Sequence, residues 1–149
     1  GSEMCIRDRS STKQQSVLDA GANQALIRGY SLQDALGDNA VDVVIDLVVG
    51  EDWHELPNIL PPFGRYAVSG AIAGPIVELD LRTLYLKDQR FAGCTVLDEG
   101  VFTRLVGLIE RGDIKPLLAR SFPLESLSEA QACFIDKQFT GKLVIDMGL

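Results

Sequence analysis

The stretch that decides the fold is residues 42–50, which read Asp-Val-Val-Ile-Asp-Leu-Val-Val-Gly. From residue 43 to residue 49 only Asp46 is polar, and most of the others are β-branched. A run of this kind is typical of a parallel strand that is buried on both faces. We therefore predict that residues 43–49 form a central strand whose side chains face helices on both sides. Asp42 and Asp46 are most simply cap or solvated residues.

Strand-like and helix-like segments alternate on either side of this stretch. The predicted strands are residues 24–27, 41–49, 64–69, 90–96, 116–122 and 142–147. The predicted helices are residues 12–20, 31–36, 51–60, 99–111 and 126–137, the last opened by a capping box of Ser126 and Glu129, while residues 80–87 are a helix or an extended segment. This alternation predicts an α/β fold, a parallel sheet with helices on both faces.

The composition limits the class of protein. The chain has 149 residues, a formal net charge of −7, 46% hydrophobic residues and 23% charged residues. These values indicate one packed domain, or part of a larger one, and exclude a disordered chain. We expect no nucleic-acid partner, because an acidic chain without a stripe of Lys and Arg lacks phosphate contacts. We expect no membrane partner, because no apolar run approaches the roughly 20 residues that span a bilayer.

Cysteine and histidine are few. Cys5, Cys94 and Cys133 lie far apart without a Cys-x-x-Cys motif, and His54 is the only histidine. This pattern excludes a structural zinc site of the usual Cys/His kind, and it excludes a Ser-His-Asp triad unless His54 supplies the base. We therefore predict no metal ligands in this sequence. Unpaired cysteines of this kind predict a reducing cytoplasm.

Ligands of an open parallel sheet bind beyond the carboxyl ends of its strands. Three predicted strand ends carry glycine, at residues 47–50, 69–74 and 93–95. Glycine lets a ligand approach the backbone closely, although a single glycine after a strand is usually only a turn. Cys94 lies at one of these ends, but the sequence names no neighbouring base for a reactive thiol. His54 is more often a surface or packing residue in such a position.

Motifs in a fixed order make the sequence similar to the medium-chain dehydrogenase/reductase family. They are residues 42–50, Gly64-Arg65-Tyr66-Ala67-Val68-Ser69-Gly70, Pro123-Leu124, Glu129-Ala130-Gln131 and Gly141-Lys142-Leu143-Val144. The likeness extends over residues 10–147, and the branch it resembles most is that of the quinone oxidoreductases, also called zinc-binding alcohol dehydrogenases. It implies a two-domain NADPH-dependent oxidoreductase. The cofactor domain would be a Rossmann sheet, and the substrate domain would be a GroES-like barrel.

The resemblance also implies how the chain is divided. Residues 10–112 would be the C-terminal part of the Rossmann domain, and residues 113–149 would return to the substrate domain. The glycine-rich phosphate loop and any zinc ligands would lie upstream of Ser11, so we expect the fragment alone to be inactive and to bind NADPH weakly. Residues 1–9 match the in-frame translation of a common transposase-library sequencing adapter. We expect them to be a non-native or disordered leader that packs against nothing.

Cofactor-binding residues follow from the resemblance, position by position. Ser11 and Lys13 lie where the family contacts the 2′-phosphate of NADPH, which a hydroxyl and a cation at a helix N-terminus suit. The remaining candidates are Leu47 and Val48 on the adenosine or ribose side, Ser69, Gly70, Ala71, Gly93 and Cys94 along the nicotinamide, and Lys142 from the return segment. No catalytic residue is predicted, because the cofactor itself carries the hydride.

Three functions remain open. The first is an oxidoreductase that transfers hydride between NADPH and a quinone, an enone, or an alcohol or carbonyl substrate. The second is a catalytically inactive Rossmann-like module for binding or for dimerisation, here through the predicted edge strand at residues 90–96. The third is another Rossmann-like enzyme such as a methyltransferase. A glycine-rich strand–helix turn upstream of Ser10 would favour the first over the third.

Overall fold

The chain divides into two compact units, Gly1–Leu97 and Asp98–Leu149. The computed structural model describes residues 3–8, 13–27, 29–136 and 138–148. Strands and helices alternate in both units, and each pair of neighbouring strands that is described runs parallel. The α/β class with parallel sheets, predicted from the sequence, is thereby confirmed.

The first unit begins with a strand–helix–strand arrangement. Strand β1 (Cys5–Asp8) runs parallel to β2 (Gln24–Ile27), and helix α1 (Gln14–Asp19) connects them. The expectation that residues 1–9 pack against nothing is therefore wrong for β1. Sheet pairing uses backbone N–H and C=O groups, so an extended segment can pair whatever its side chains are. The interpretation of residues 1–9 as a non-native leader stays a prediction.

A three-stranded parallel sheet supports the core of the first unit. Its strands are β3 (Val43–Asp46), β4 (Arg65–Val68) and β5 (Arg90–Gly93), in that order, so β4 is central. The register aligns Val44, Tyr66 and Phe91 across the three strands, on the face that meets the core. The buried side chains that complete this core are Leu32, Trp53, Leu56, Ile59 and Leu60.

Strand β3 differs from its prediction in length and in position. It ends at Asp46, and within the described part of the chain it is an outer strand of its sheet. Val44 faces the core, whereas Val43 and Ile45 lie on the opposite face, where 43% and 73% of their surface is exposed. The prediction of a central strand buried on both faces is thus wrong. A run of β-branched residues indicates strand propensity but not how many strands will flank it.

Short helices cover the core face of this sheet. Ser31 is the N-cap residue of helix α2 (Leu32–Leu36), and its hydroxyl oxygen accepts a hydrogen bond from Asp34 N at 3.1 Å. The next predicted helix is a 3₁₀ turn (Glu51–Glu55) followed by α3 (Leu56–Ile59). These short segments bring the buried side chains of Leu32, Trp53, Leu56 and Ile59 against the sheet without a long helix.

Helix α4 (Leu81–Leu86) lies in residues 80–87, for which the sequence predicts either a helix or an extended segment. It begins at Asp80, whose carboxylate accepts a hydrogen bond from Arg82 N at 2.9 Å. The same carboxylate pairs with the Arg82 guanidinium at 2.7 Å. Residues 80–87 are therefore helical rather than extended, because the side chain of Asp80 satisfies an otherwise unpaired amide of the first turn.

The second unit contains an amphipathic helix and one pair of strands. Helix α5 (Val101–Glu110) is followed by β6 (Leu118–Pro123), α6 (Leu127–Asp136) and β7 (Lys142–Asp146). Strands β6 and β7 are parallel, with an irregular step near the start of β6. The domain boundary predicted after Gly112 concerns a larger protein and stays a prediction.

Glu129 differs from its predicted role at the start of α6. The sequence places it in a capping box with Ser126, but its carboxylate accepts a hydrogen bond from Arg120 Nη2 at 2.9 Å. A 3₁₀ turn, Leu124–Ser126, leads into the helix. The carboxylate is therefore directed to the neighbouring strand β6, where a charged partner is available.

Candidate functional site

The carboxyl ends of three strands meet at one edge of the sheet in the first unit. The register places Asp46, Val68 and Gly93 side by side at the ends of β3, β4 and β5. Two backbone hydrogen bonds continue the pairing one step further, from Ser69 N to Asp46 O at 2.9 Å and from Cys94 N to Val68 O at 2.8 Å. The loops that follow these strands therefore emerge together, as expected for an open parallel sheet.

This edge gathers most of the residues that the sequence predicts for the site. The residues that follow or end the three strands are Leu47, Val48, Ser69, Gly70, Ala71, Gly93 and Cys94. The others lie elsewhere: Lys13 immediately precedes α1, and Lys142 begins β7 in the second unit. Ser11 lies outside the described residues. The role of each of them in binding stays a prediction.

Asp46 organises the loop after β3. Its Oδ1 accepts hydrogen bonds from the backbone N–H groups of Val48 (2.9 Å) and Val49 (2.8 Å), and its Oδ2 accepts one from the hydroxyl of Tyr66 (3.1 Å). An Asp side chain that binds amides two and three residues further on closes a turn and competes with strand pairing. Asp46 is thus the cap that the sequence suggests, and it also joins the loop to the core.

Tyr66 connects this carboxylate to the aromatic core. Only 5% of its surface is exposed, and its hydroxyl accepts a hydrogen bond from Trp53 Nε1 at 2.8 Å. Its ring centroid lies 5.0 Å from that of Phe91 and 5.8 Å from that of Trp53. Burial, and then the negative charge of Asp46, raises the pKa of Tyr66 to about 12 although the Trp53 hydrogen bond acts in the opposite direction. The hydroxyl therefore remains a donor to Asp46 throughout the neutral range.

The loops after β3 and β4 pack backbone against backbone. Val49 has a φ of +58°, a left-handed conformation that is unfavourable for a β-branched residue. Ala73 N donates a hydrogen bond to Val48 O at 3.0 Å. A Cβ placed on Gly70 would lie 2.6 Å from Leu47 O. Position 70 therefore requires glycine because of close approach, not because of its own φ.

Apolar side chains are exposed on the surface of these loops. Leu47 and Ile72 expose 61% and 83% of their surface, and Ser69 and Cys94 are also exposed. A Cβ on Gly93 would meet nothing within 4 Å, so the backbone there is open to a ligand. Exposed apolar area beside open backbone is a surface that suits a flat, partly apolar ligand.

Two residues considered for catalysis lack the surroundings that catalysis needs. His54 is exposed, and its Nδ1 lies 2.9 Å from Glu51 O, which agrees with the surface role that the sequence favours. Cys94 is a free and exposed cysteine. Among the described residues no side-chain base forms a hydrogen bond with its thiol, so the geometry gives no support to a nucleophile.

The residues present do not fit a metal site. In the part of the chain that the structure describes, no three His, Cys, Asp or Glu side chains lie close enough together to hold an ion. A zinc site needs three or four such ligands. Within the same residues, every helix is too short or too polar to cross a membrane.

Comparison with known proteins identifies the family. Residues 15–145 match the zinc-binding dehydrogenases. The chain belongs to the zinc-binding dehydrogenase family. This result confirms the resemblance to medium-chain dehydrogenases/reductases that the motifs indicate. Quinone oxidoreductase from Mus musculus is 30% identical over 115 residues, which cover 72% of this chain and 34% of that protein.

Solved structures of the dehydrogenase family share the fold over almost the whole chain. A protein from Sinorhizobium meliloti 1021 is 40% identical with a TM-score of 0.83, over 98% of this chain and 42% of that one. A thermostable alcohol dehydrogenase from Pyrobaculum aerophilum, solved with cobalt and zinc, is 31% identical with a TM-score of 0.77, over 97% of this chain and 43% of that one. The chain thus spans about a third to two fifths of the length of these related proteins.

The family to which this chain belongs is one of nicotinamide-dependent oxidoreductases. The zinc in the family name has no ligand set among the described residues. Sequence reasoning missed Tyr66 and Trp53 as parts of the site. The available signal was Asp46. It lies two residues after the core residue Val44, so its side chain points to the same face of the strand and needs buried hydrogen-bond donors.

Proposed function

We propose that this edge of the sheet holds the nicotinamide half of NADPH in an oxidoreductase. The enzyme would transfer hydride between the cofactor and a quinone, an enone, or an alcohol or carbonyl substrate. The observation that carries the proposal is the convergence of the loops after β3, β4 and β5, where a Cβ on Gly93 would meet nothing within 4 Å and the backbone is open to a ligand. Relatives support the substrate class: besides the mouse quinone oxidoreductase, an NAD-dependent alcohol dehydrogenase from Saccharolobus solfataricus is 29% identical over 119 residues, 74% of this chain and 33% of that protein.

The chain's own residues bind and orient rather than react. The nicotinamide ring supplies the hydride chemistry when the cofactor is bound, so no protein nucleophile is required. Ser69, which is exposed, and the half-buried Gly70 and Ala71 would provide the hydrogen-bonding groups that orient a ring amide. The side chain of Ile72 would cover the ring and exclude water from it, and that of Leu47 would line the adenosine or ribose side. The turn that Asp46 closes through its hydrogen bonds with Val48 N and Val49 N would hold Leu47 in place.

Lys13 bears on the choice between NADPH and NADH. It immediately precedes α1 and is half-buried. An ammonium group favours the 2′-phosphate of NADPH, whereas a carboxylate near a strand end favours the ribose hydroxyls of NADH. We expect Lys13→Glu to weaken NADPH relative to NADH by on the order of 1–3 kcal/mol. An unchanged ratio of the two affinities in Lys13→Glu would contradict the preference for NADPH.

A titration of the ¹⁵N-labelled chain with NADPH tests the location of the site. The amide resonances of residues 47–50, 69–74 and 93–94 should shift together with one dissociation constant. Leu47→Asp should weaken binding at least about tenfold, because it places a charge beside an anionic ligand and removes apolar cover. Leu86→Asp is the matched control, since Leu86 is 72% exposed on α4 and the substitution adds the same charge away from the strand ends.

Two results would refute the proposed site. One is a set of shifts confined to other residues. The other is an equal loss of affinity in Leu47→Asp and in Leu86→Asp, which would indicate non-specific charge repulsion. A chain that gives no shifts at any NADPH concentration would favour the inactive binding or dimerisation module instead.

A further inference from the structure

We infer that Tyr66 is a positioning residue of the candidate site: through Asp46, its hydroxyl fixes the turn at residues 47–50 against which the cofactor lies. The inference rests on the proposed function, because it names what holds one wall of that site. Tyr66 itself is buried, and its hydroxyl reaches the turn through the carboxylate of Asp46.

The hydrogen bonds between Trp53 and the turn have a fixed direction. The indole N–H of Trp53 can only donate, so the Tyr66 oxygen must accept from it at 2.8 Å. The single hydroxyl proton of Tyr66 is then free to be donated to Asp46 Oδ2 at 3.1 Å. The other carboxylate oxygen accepts from Val48 N and Val49 N. Each donor thus has one acceptor, and the orientation of the carboxylate is set from the core outward.

The turn needs this support because its backbone is unfavourable. A left-handed valine such as Val49, with a φ of +58°, persists only where its surroundings impose it. The χ2 torsion of an Asp side chain is soft, so two amides bound to one oxygen do not alone prevent the carboxylate of Asp46 from rotating. The hydrogen bond from Tyr66 to the second oxygen blocks that rotation. Its removal should loosen the turn while the strands stay paired.

The role of the hydroxyl can be separated from the role of the ring. The Tyr66 ring packs against Phe91 and Trp53, and a phenylalanine ring would keep both contacts. Tyr66→Phe therefore removes one oxygen and its two hydrogen bonds from an otherwise intact core. Tyr85→Phe is the matched control, since Tyr85 is 62% exposed on α4 and its loss of a hydroxyl should affect neither the core nor the turn.

Amide hydrogen exchange measures the effect on the turn. In Tyr66→Phe we expect exchange at Val48 and Val49 to become about tenfold faster, the effect of losing one charge-assisted hydrogen bond. The amide of Ser69 should change less than about twofold, because it binds the backbone oxygen of Asp46 and not its carboxylate. Equal acceleration at all three amides would show that the hydroxyl only stabilises the fold, and no acceleration would show that the turn is independent of it. Either result would overturn the inference.

A double-mutant cycle tests whether Tyr66 acts through Asp46. Asp46→Asn keeps an oxygen that can accept from the two amides but lacks the second carboxylate oxygen. Exchange at Val48 and Val49 should be faster in this variant, and adding Tyr66→Phe should produce no further increase. If the two substitutions instead multiply their effects, Tyr66 acts by another route and the inference is wrong.

The cofactor measurement distinguishes this inference from the proposed function. In Tyr66→Phe the affinity for NADPH should fall about three- to tenfold, while Tyr85→Phe should bind like the unsubstituted chain. A loosened turn with unchanged NADPH affinity would overturn the positioning role. If the unsubstituted chain does not bind NADPH at the strand ends, the proposed function fails, whereas the exchange data still report on the bond between Tyr66 and the turn.

Discussion

Gly70→Ala tests the close packing of the two loops that form the candidate site. A Cβ on Gly70 would lie 2.6 Å from Leu47 O, below the 3.0 Å that real Cβ atoms essentially never breach. The carbonyl belongs to the backbone, so it cannot rotate away as a flexible side chain would. One of the two loops has to move by several tenths of an ångström, and Leu47 is held by the turn that Asp46 closes.

The magnitude follows from two opposing effects. Inserting a methyl group into well-packed surroundings costs about 1–3 kcal/mol. Replacing glycine by alanine also reduces the freedom of the unfolded chain, which stabilises the folded state by about 0.4–1 kcal/mol. We therefore expect Gly70→Ala to lower the free energy of unfolding by about 1–2 kcal/mol.

Gly93→Ala is the matched control at the same edge of the sheet. A Cβ on Gly93 meets nothing within 4 Å, and its φ is not in the left-handed region. Only the effect on the unfolded chain remains, so this variant should equal or exceed the original chain in stability by up to about 1 kcal/mol. Urea denaturation of both variants would measure the difference between their free energies of unfolding. The m-value, which is the dependence of that free energy on urea concentration, should be the same in both. If Gly70→Ala is as stable as Gly93→Ala, the loops are not in the close contact described here.

Three further expectations concern the core, the effect of pH and the cysteines. Leu60→Ala should lower the free energy of unfolding by about 2–5 kcal/mol in urea denaturation, because Leu60 is 0% exposed, whereas Ile45→Ala, at a side chain that is 73% exposed, should cost less than about 1 kcal/mol. Burial raises the pKa of Tyr66 from 10.0 to about 12, so its contribution to stability is intact below pH 10 and is lost as the pH rises through 12; the decline measured by denaturation above pH 10 should be shallower in Tyr66→Phe, and an identical decline in both proteins would contradict this. Iodoacetamide should modify the exposed Cys94 faster than Cys5, whose thiol pKa is raised by burial, and the reverse order by mass spectrometry would count against the placement of β1.

Local signals in the sequence predict most elements of the fold. The strand at residues 24–27 has the predicted bounds, and α2 begins at Ser31 as its capping pattern indicates. These features depend on neighbouring residues only. The position of β3 at the side of its sheet is not fixed by neighbouring residues. It depends on which other strands pair with β3. The same holds for β1, whose pairing with β2 needs only an extended backbone.

The candidate site shows the same division between local and non-local information. The strand-end rule brings Leu47, Ser69 and Gly93 to one edge, because parallel register alone fixes that placement. The hydrogen bond between Tyr66 and Asp46 could not be predicted with the same means. It depends on the register of β3 against β4 and on the entry of Trp53 from a 3₁₀ turn. No spacing in the sequence encodes either feature.

Asp46 explains why the apolar run at residues 43–49 does not form one long strand. With Val44 facing the core, alternation directs Asp46 to the same side, where an unpaired carboxylate would be costly. The cost is avoided only if donors reach both oxygens, and Val48 N, Val49 N and the Tyr66 hydroxyl do so. Two of those donors are amides that would otherwise extend β3, so satisfying the acid ends the strand and creates the turn. The residue that interrupts the apolar pattern is therefore the one that converts the end of a strand into a wall of the candidate site.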